Sequence, residues 1–308
     1  MTSAIVGYTG FVGQNLCLSH HFDAQYNSKN IADAFGTAPD LLVYAGIRAE
    51  MFTANHFPEK DLENIQEAIE NIKRINPKKL VLISTISVYP VFEGDERTPL
   101  DENEGSAYGR NRRLLEKWVE ENCAYYLIVR LPALFGQGIK KNFIFDMIHY
   151  IPALLKTEKY EQLFQNSELA YLYQDRGDGF YKCVAESKEE KALLRHFFEQ
   201  AGFSALNFTD SRSEYQYFNL ANLWNVVCKA IDNGVRLLTI ASEPIKSSEL
   251  FEYIYQKPFF NECSASYPVQ HLKSMYAEVF GGKDGYLYSK QELLEDIKHF
   301  ITEQLSHD

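Results

Sequence analysis

The sequence predicts an α/β fold, a doubly wound parallel sheet with a smaller C-terminal lobe. Short apolar runs alternate with helical patterns from the first residues of the chain, a glycine-rich turn follows the first run, and the alternation ends after Pro132. The length of 308 residues suits one large domain or two smaller ones. Apolar residues make up 45% of the chain and charged residues 24%, which is typical of globular proteins and excludes a disordered or fibrous chain.

Four apolar runs predict the strands of the sheet, namely 4–6, 41–45, 80–83 and 125–131. Helical periodicity follows Val12, recurs over 62–72 and covers Ala107–Asn122, and Pro77 ends the second of these helices. Strands separated by helices of this length imply right-handed crossovers and therefore a parallel sheet.

The pattern changes after Pro132, where long helices and charged residues become more frequent. A further apolar strand is predicted at 235–241, and 293–305 forms an amphipathic helix. We therefore assign 1–139 and 213–243 to the sheet domain, and 140–212 and 244–308 to the smaller lobe.

Charge and composition exclude several classes of partner. A formal charge of −11 and a pI of about 5.3 predict that nucleic acid is not a partner, because phosphate neutralisation needs the opposite balance. No apolar run approaches the roughly 20 residues that span a bilayer, so no membrane is expected. The N-terminus lacks a signal-peptide pattern, and five cysteines stand singly without metal-ligand spacing, which predicts a cytoplasmic protein with reduced thiols and no metal.

The turn after the first strand carries three glycines, Gly7, Gly10 and Gly13, in the pattern GxxGxxG. Glycine allows a tight turn and a close approach of the backbone to a pyrophosphate, and the following helix offers free amides and the positive end of its dipole. This pattern predicts a Rossmann-type dinucleotide site that includes Phe11 and Val12 at the start of the helix.

The residues that would contact the adenosine ribose favour NADP over NAD. An acidic residue about 20 positions after the glycines holds the ribose diol in NAD-binding proteins. Here the corresponding stretch contains Ser28 and Lys29, and the nearby Asp23 comes too early in the chain. A hydroxyl and a cation suit a 2′-phosphate, although Lys29 is equally compatible with a solvated loop charge.

With these motifs the chain resembles the extended short-chain dehydrogenase/reductase family, the nucleotide-sugar epimerases, dehydratases and ketoreductases. The resemblance covers nearly the whole chain. It rests on the glycine turn, the strand end at 43–46, Asn64, STISVY at 84–89, YxxxR at 108–112, the segment 130–136 and the segment 240–250.

The resemblance implies hydride transfer at a sugar carbon. Tyr108 would move the proton and Thr85 would bond the same sugar oxygen, while Arg112 stands where the family has lysine. Arginine keeps the positive charge that a tyrosine needs to act near neutral pH, but its planar fork is not interchangeable with an ammonium. The cofactor-binding residues would be Gly7, Gly10, Phe11, Val12, Gly13, Ser28, Lys29, Ala45, Gly46, Asn64 and Pro132.

Differences from the family pattern limit the reactions that the protein is expected to catalyse. The position of the dehydratases' acidic pair is occupied by Ile86 and Ser87, which disfavours a 4,6-dehydratase. Ala133 replaces a frequent asparagine that contacts the sugar. In the smaller, substrate-binding lobe, the segment 140–144 resembles the one in which the family holds the nucleotide diphosphate, which implies a contact by Asn142. Lys141 and Arg212 could neutralise the phosphate charge, although each alone is more often a solvated surface residue.

The sequence therefore favours an NAD(P)-dependent ketoreductase of a nucleotide-activated sugar over an epimerase, with NADP as cofactor and NAD as the alternative. A second hypothesis remains open, a catalytically weak NAD(P)-binding protein with a regulatory or assembly role. Family members commonly pair through an interface that includes the helix Ala107–Asn122, so a homodimer is expected.

Overall fold

A computed structural model describes residues 2–101 and 103–307. The chain divides into two compact units. The first, the sheet unit, contains the residues up to Ile139 together with Glu214–Ile245 and Val269–Ile297. The second, the small unit, contains Lys140–Ser213, Lys246–Pro268 and the residues from Lys298 on. The stretch 269–297 thus packs with the sheet unit, whereas the sequence placed it in the smaller lobe.

The strands are short, with two to six residues each. In chain order they are β1 Ser3–Val6, β2 Ala24–Tyr26, β3 Leu41–Tyr44, β4 Leu80–Thr85, β5 Glu93–Gly94, β6 Tyr126–Leu131, β7 Ala133–Phe135, β8 Leu154–Lys156, β9 Tyr173–Asp175, β10 Phe180–Cys183, β11 Glu214–Tyr215, β12 Tyr217–Asn219, β13 Leu237–Thr239, β14 Ile245–Lys246 and β15 His271–Leu272.

The α-helices range from single turns to five turns. In chain order they are α1 Phe11–Ser19, α2 Met51–His56, α3 Pro58–Ile75, α4 Ala107–Asn122, α5 Phe143–Ile148, α6 Thr157–Phe164, α7 Lys188–Gln200, α8 Leu223–Asp232, α9 Ser247–Tyr255 and α10 Lys290–His307.

The described residues of the sheet unit form a six-stranded sheet in the order β13-β6-β4-β3-β1-β2, in which neighbouring strands are parallel. This confirms the predicted Rossmann-type α/β fold. A short 3-10 turn, Ile31–Ala34, connects β2 to β3, and the strand order reverses between β1 and β3. In open α/β sheets ligands bind beside the carboxyl ends of the strands at such a reversal.

Both faces of the sheet are covered by helices because successive residues of each strand point to opposite sides. Ile5, Val43 and Val81 lie in one buried cluster with residues of α1 and α8. Leu42, Leu80 and Leu82 lie in the other, with residues of α3 and α4. Each such buried aliphatic side chain stabilises the fold by roughly 1.5–3 kcal/mol, which explains why these strands are continuous apolar runs.

The small unit has its own core. An antiparallel sheet in the order β8-β10-β9 packs with α6 and α7 through buried residues that include Leu155, Phe164, Leu194 and Phe198. The cluster is rich in aromatic rings, and those of Tyr160 and Tyr181 are stacked with centroids 3.7 Å apart.

Candidate active site

The glycine turn joins β1 to α1 at the reversal of strand order. Gly7 has φ +92°, and a β-carbon there would lie 2.5 Å from the carbonyl oxygen of Ala45, at the end of β3. A β-carbon on Gly13 would lie 2.1 Å from the carbonyl oxygen of Gly7. Only glycine fits at these two positions, so the turn and the end of β3, Ala45 and Gly46, form one tightly packed backbone surface.

The helix that follows presents its N-terminus at this surface. Gly10 precedes α1, its amide donates to Gly7 O at 2.9 Å, and Phe11 and Val12 form the first turn. The first turn carries no acidic side chain. The amides and the positive dipole end of α1 are therefore suited to an anion such as a pyrophosphate.

The loop after β2 carries the residues predicted to select the cofactor. Ser28 and Lys29 are exposed, and the Lys29 amide donates to Asn27 Oδ1 at 2.9 Å, which fixes the loop. Asp23 lies before β2, where its carboxylate accepts from the backbone and hydroxyl of Ser3 at 2.7 and 3.0 Å. Ser3 begins β1, so Asp23 lies at the edge of the sheet opposite to the glycine turn.

Tyr108 enters α4 at its second residue and is fixed from two directions. Ser106 caps the helix by accepting from Gly109 N at 3.1 Å, and Asn55 on α2 accepts from the Tyr108 amide at 3.0 Å. Tyr108 is 6% exposed, and its hydroxyl lies near the side chains of Thr85, the last residue of β4, and of Arg112. The structure thus brings the two predicted catalytic hydroxyls together.

Arg112 lies one helical turn after Tyr108 and is 4% exposed. Its guanidinium carbon stands 3.9 Å from the centroid of the Tyr108 ring. Nη1 forms an ion pair with Asp61 on α3, and Nη2 donates to the carbonyl oxygen of Arg48 at 2.7 Å. The guanidinium is therefore held against the tyrosine ring by bonds to other parts of the sheet unit.

Two opposing influences act on the Tyr108 hydroxyl. Burial raises the pKa of Tyr108, and the nearby charge of Arg112 lowers it, while the carboxylate of Asp61 raises it again. Burial is the largest of these, so the pKa of Tyr108 lies above the ordinary value for tyrosine. A tyrosine of ordinary pKa, about 10, is already a phenol at neutral pH, and these influences leave Tyr108 in that form.

Asn64 and Pro132 are two other residues that the sequence predicts to bind the cofactor. Asn64 lies on α3, where its side-chain amide donates to Lys60 O of the preceding turn at 3.0 Å. Pro132 is buried between β6 and β7. Their roles in cofactor binding stay predictions.

In the small unit, Asn142 caps α5. It has φ +92°, and its Oδ1 accepts from the amides of Ile144 and Phe145 at 3.0 and 3.3 Å. Lys141 beside it is exposed. The oxygen of Asn142 thus already has a structural role, and its contact with a nucleotide diphosphate stays a prediction.

Arg212 is engaged by neighbours within the small unit. Its Nε and Nη2 donate to the two oxygens of Asp210 at 2.9 and 2.8 Å, and Nη1 pairs with Glu262 at 2.9 Å. Its Nη2 also donates to Ser264 O, and the guanidinium lies over the Tyr267 ring. These contacts hold the pKa of Asp210 well below its usual range. A role of Arg212 toward phosphate, as the sequence predicted, would require some of these bonds to be exchanged.

Comparison with known proteins identifies the family of the chain. The family model described as the RmlD substrate binding domain matches residues 5–157, about half of the chain. These residues include the glycine turn, Thr85, Tyr108 and Asn142. The chain belongs to the extended short-chain dehydrogenase/reductase family.

Solved structures of this family share the fold at low sequence identity. A dTDP-4-dehydrorhamnose reductase from Bacillus anthracis in complex with NADP has 15% identity and a TM-score of 0.64, over 98% of this chain and 99% of that one. RMD from Pseudomonas aeruginosa, complexed with NADPH, has 11% identity and a TM-score of 0.64 over the full length of both chains. A UDP-glucose 4-epimerase from Thermotoga maritima has 12% identity and a TM-score of 0.62 over 98% of each chain. No curated protein sequence matches the chain.

Sequence reasoning missed the partners of the two arginines near this site. Asp61 was not singled out, although it holds Arg112 and also accepts from Asn111 Nδ2 at 2.8 Å. Glu116, one turn after Arg112, forms a buried pair with Arg130 at 2.6 Å. The signal that was available is the replacement of the family's lysine by arginine, because a buried guanidinium requires a carboxylate or carbonyl partner.

Two further observations concern the whole of the described chain. Within residues 2–101 and 103–307, no group of three or more histidine, cysteine, aspartate or glutamate side chains is arranged to hold a metal ion. Over the same residues, none of the helices combines the length and the apolar character that crossing a membrane requires.

Proposed function

We propose that the protein is an NADPH-dependent ketoreductase that acts on a nucleotide-activated sugar. The observation that carries the proposal is the proximity of the Tyr108 hydroxyl to Thr85 at the carboxyl end of β4, in the same unit as the glycine turn. The reductases from Bacillus anthracis and Pseudomonas aeruginosa share this fold and were solved with NADP and NADPH.

The residues of the sheet unit fit a dinucleotide. Gly7 and Gly13 have no room for a β-carbon, and the N-terminus of α1 faces the surface that they form. Ser28 and Lys29 follow β2 on the edge where Gly7 follows β1, and their hydroxyl and ammonium suit a 2′-phosphate. The cofactor supplies the hydride when it is bound.

The proposed chemistry of the chain is proton donation to a carbonyl oxygen. Thr85 and Tyr108 bond the oxygen of the keto group, and the proton leaves Tyr108 Oη for that oxygen as the carbonyl carbon receives the hydride. Tyr108 then regains a proton from water. Asn142 and Lys141 are proposed to bind the diphosphate of the substrate.

Reduction is favoured over epimerisation by the preference for NADP. An epimerase must hold its cofactor and return the hydride to the same substrate, whereas a reductase releases its cofactor after each turnover. The hydroxyl of Ser28 and the ammonium of Lys29 suit NADP, and the reductases named above were solved with NADP and NADPH.

A second candidate function is a dinucleotide-binding protein with little catalysis. One observation favours it: Arg112 is committed to Asp61 and Arg48 O, so it differs from a lysine that is free to contact a nicotinamide ribose. A homodimer through α4 is a further prediction, which light scattering of the purified protein tests.

The deciding experiment has two stages. The purified protein is first titrated with NADPH, NADH and their oxidised forms by fluorescence or calorimetry. It is then mixed with NADPH and a panel of 4-keto nucleotide sugars, with the Tyr108→Phe variant as control. We expect selective NADPH binding by both proteins and oxidation of NADPH only by the native one. Binding without turnover on any sugar supports the second candidate, and failure to bind any dinucleotide contradicts both.

A further inference from the structure

The feature that carries a further inference is the buried carboxylate of Asp61. It lies on α3, 51 positions before Arg112, and both side chains are more than nine-tenths buried. Placing a charged pair in this environment is expensive unless its hydrogen bonds are satisfied. Here the Asp61 carboxylate accepts from Arg112 and from Asn111, while Arg112 also bonds to Arg48 O.

The pair is coupled to Tyr108 by geometry. The guanidinium carbon lies 3.9 Å from the centroid of the Tyr108 ring, so its position on that ring depends on the carboxylate that anchors Nη1. Without Asp61, the side chain of Arg112 would keep its bond to Arg48 O, at 2.7 Å, and its contact with Tyr108, but its charge would lose the carboxylate that compensates it.

The surroundings of Tyr108 contain few other charges. Arg112 on its own helix and Asp61 on α3 face it, while β4 contributes the uncharged Thr85. The 3-10 turn Ile86–Val88, which packs on α4, has no titratable side chain. On α2, Asn55 bonds the Tyr108 amide, and the ring of His56 stacks on Phe52 at 4.0 Å. The balance of charge at the tyrosine is therefore set by one arginine and one aspartate.

We propose that Asp61 is a positioning residue of this site, which holds Arg112 on the face of Tyr108 and neutralises its charge, so that Tyr108 serves as a proton donor. The inference rests on the proposed reductase function for its purpose, but the arrangement itself is a property of the folded chain. An arginine without its aspartate would favour the phenolate, which accepts protons and suits oxidation. With the aspartate in place, the phenol is retained for reduction.

A titration without substrate tests the inference directly. The ultraviolet absorbance of phenolate is followed against pH for the native protein, Asp61→Asn, Asp61→Glu and Glu63→Gln, each with and without Tyr108→Phe, so that the difference reports Tyr108 alone. Glu63 is an exposed acid of the same helix and serves as the matched control. Circular dichroism at each pH shows that the proteins are folded.

We expect the Tyr108 midpoint to fall by about one pH unit in Asp61→Asn, because the charge of Arg112 is then unopposed. It should stay near the native midpoint in Asp61→Glu and in Glu63→Gln. An unchanged or raised midpoint in folded Asp61→Asn overturns the inference. If that variant does not fold, the double variant Asp61→Asn with Arg112→Gln replaces it. Its midpoint is expected at or above the native one, and a lower midpoint overturns the inference.

Kinetics separate this inference from the proposed function. For a reductase, the alkaline limb of the kcat/KM profile for keto-sugar reduction moves to lower pH in Asp61→Asn, by the same interval as the phenolate midpoint. Should the native protein reduce none of the sugars, the proposed function fails, while the phenolate titration still decides the role of Asp61.

Discussion

Two tyrosines of the sheet unit lie beneath arginines, and their surroundings differ. The guanidinium of Arg112 is 3.9 Å from the ring centroid of Tyr108, and that of Arg130 is 4.8 Å from the ring centroid of Tyr89. Both arginines pair with a buried carboxylate, and burial raises the pKa of both tyrosines. The same residue types at similar distances could be taken for two copies of one site.

The hydroxyl of Tyr89 has no capacity left for a ligand. It accepts from Arg130 Nη1 at 2.8 Å, donates to Asp95 O at 3.1 Å and lies 2.9 Å from Thr239 Oγ1. The partner of Arg130, Glu116, also accepts from Ser84 Oγ at 2.5 Å. Such a fully bonded network stabilises and specifies the fold.

The hydroxyl of Tyr108 lies instead beside the guanidinium of Arg112 and beside Thr85, a hydroxyl that can rotate to donate or to accept. An arginine over a tyrosine therefore does not by itself identify a catalytic site. The number and kind of bonds at the phenol oxygen separate a structural tyrosine from one that can transfer a proton.

The largest expected effect comes from replacing each of the two tyrosines with phenylalanine, which removes its hydroxyl. Tyr108→Phe should lower kcat for keto-sugar reduction by about 10²–10⁴-fold, since it removes the proton donor. Its free energy of unfolding should change little. Tyr89→Phe should show the reverse, a loss of about 1–3 kcal/mol in urea unfolding with kcat near the native value. Equal losses of kcat in the two variants would contradict the distinction.

Removing the charge of Glu116, the carboxylate that pairs with Arg130, should have the next largest effect. Glu116→Gln leaves Arg130 buried without its counter-charge, which should cost about 3–5 kcal/mol of unfolding free energy. Asp61→Asn should cost less, because Asp61 accepts from one nitrogen of Arg112, whereas Glu116 accepts from two nitrogens of Arg130 and from Ser84. Urea denaturation of the two variants measures this order, and a larger loss for Asp61→Asn would reverse it.

Asp146 is a buried residue that belongs to neither of the two arginine–carboxylate pairs, and it predicts how the stability of the protein depends on pH. Burial raises the pKa of Asp146 on α5 to about 7, well above the roughly 3.9 of an unfolded chain. Between these values the folded state binds a proton that the unfolded state does not, so this group makes stability fall as pH rises. Asp146→Asn should therefore be more stable than the native protein at pH 8, by about 4 kcal/mol, and the gap should close near pH 4. Thermal unfolding at both pH values measures it, and a gap that is the same at both would contradict the raised pKa.

The glycine turn allows a test in which a single methyl group is added beside the backbone. Gly7→Ala places a β-carbon against Ala45 O at a positive φ, and it should weaken NADPH binding at least tenfold and cost about 1–3 kcal/mol of stability. Gly36→Ala is the matched control, because Gly36 has φ +76° but open space around it. Calorimetric titration of both variants should show native affinity in the control only.

The smallest expected effect is that of Arg112→Lys. Lysine keeps the charge but loses the bond to Arg48 O or the pairing with Asp61, and its ammonium covers less of the tyrosine ring. We expect kcat/KM to fall by about fivefold, or about 1 kcal/mol. A large gain would mean that the native site is impaired, which favours the non-catalytic candidate.

The central strands could be predicted because each is buried on both faces. Strands β1, β3, β4 and β6 are continuous apolar runs, whereas β2, with the sequence Ala-Gln-Tyr, has no such signal and was missed. The predicted bounds of α4 agree with the structure, since Ser106 provides a clear cap. A short, polar edge strand such as β2 depends on pairing with a neighbour, which local sequence does not encode, whereas the apolar edge strand β13 lies within the predicted strand 235–241.

The candidate site was predictable only in part. The spacing of the glycines and of Tyr108 is local and carries its own geometric meaning. The counter-charge of Arg112 comes from another helix, so it depends on how α3 packs against α4. Arg212 illustrates a second difficulty. In the sequence, an arginine near a predicted phosphate site looks the same whether or not other side chains already hold it. In the structure, Asp210 and Glu262 hold Arg212.

The two edge strands of the central sheet influence whether molecules of this protein associate with one another. The edge strands β2 and β13 have three residues each, and at β2 the carbonyl of Gln25 accepts from Asn30 Nδ2 at 3.1 Å. Few backbone groups are therefore left to pair with a strand of another molecule. Together with the net charge of −11, this should keep concentrated solutions of the folded protein free of edge-to-edge aggregation.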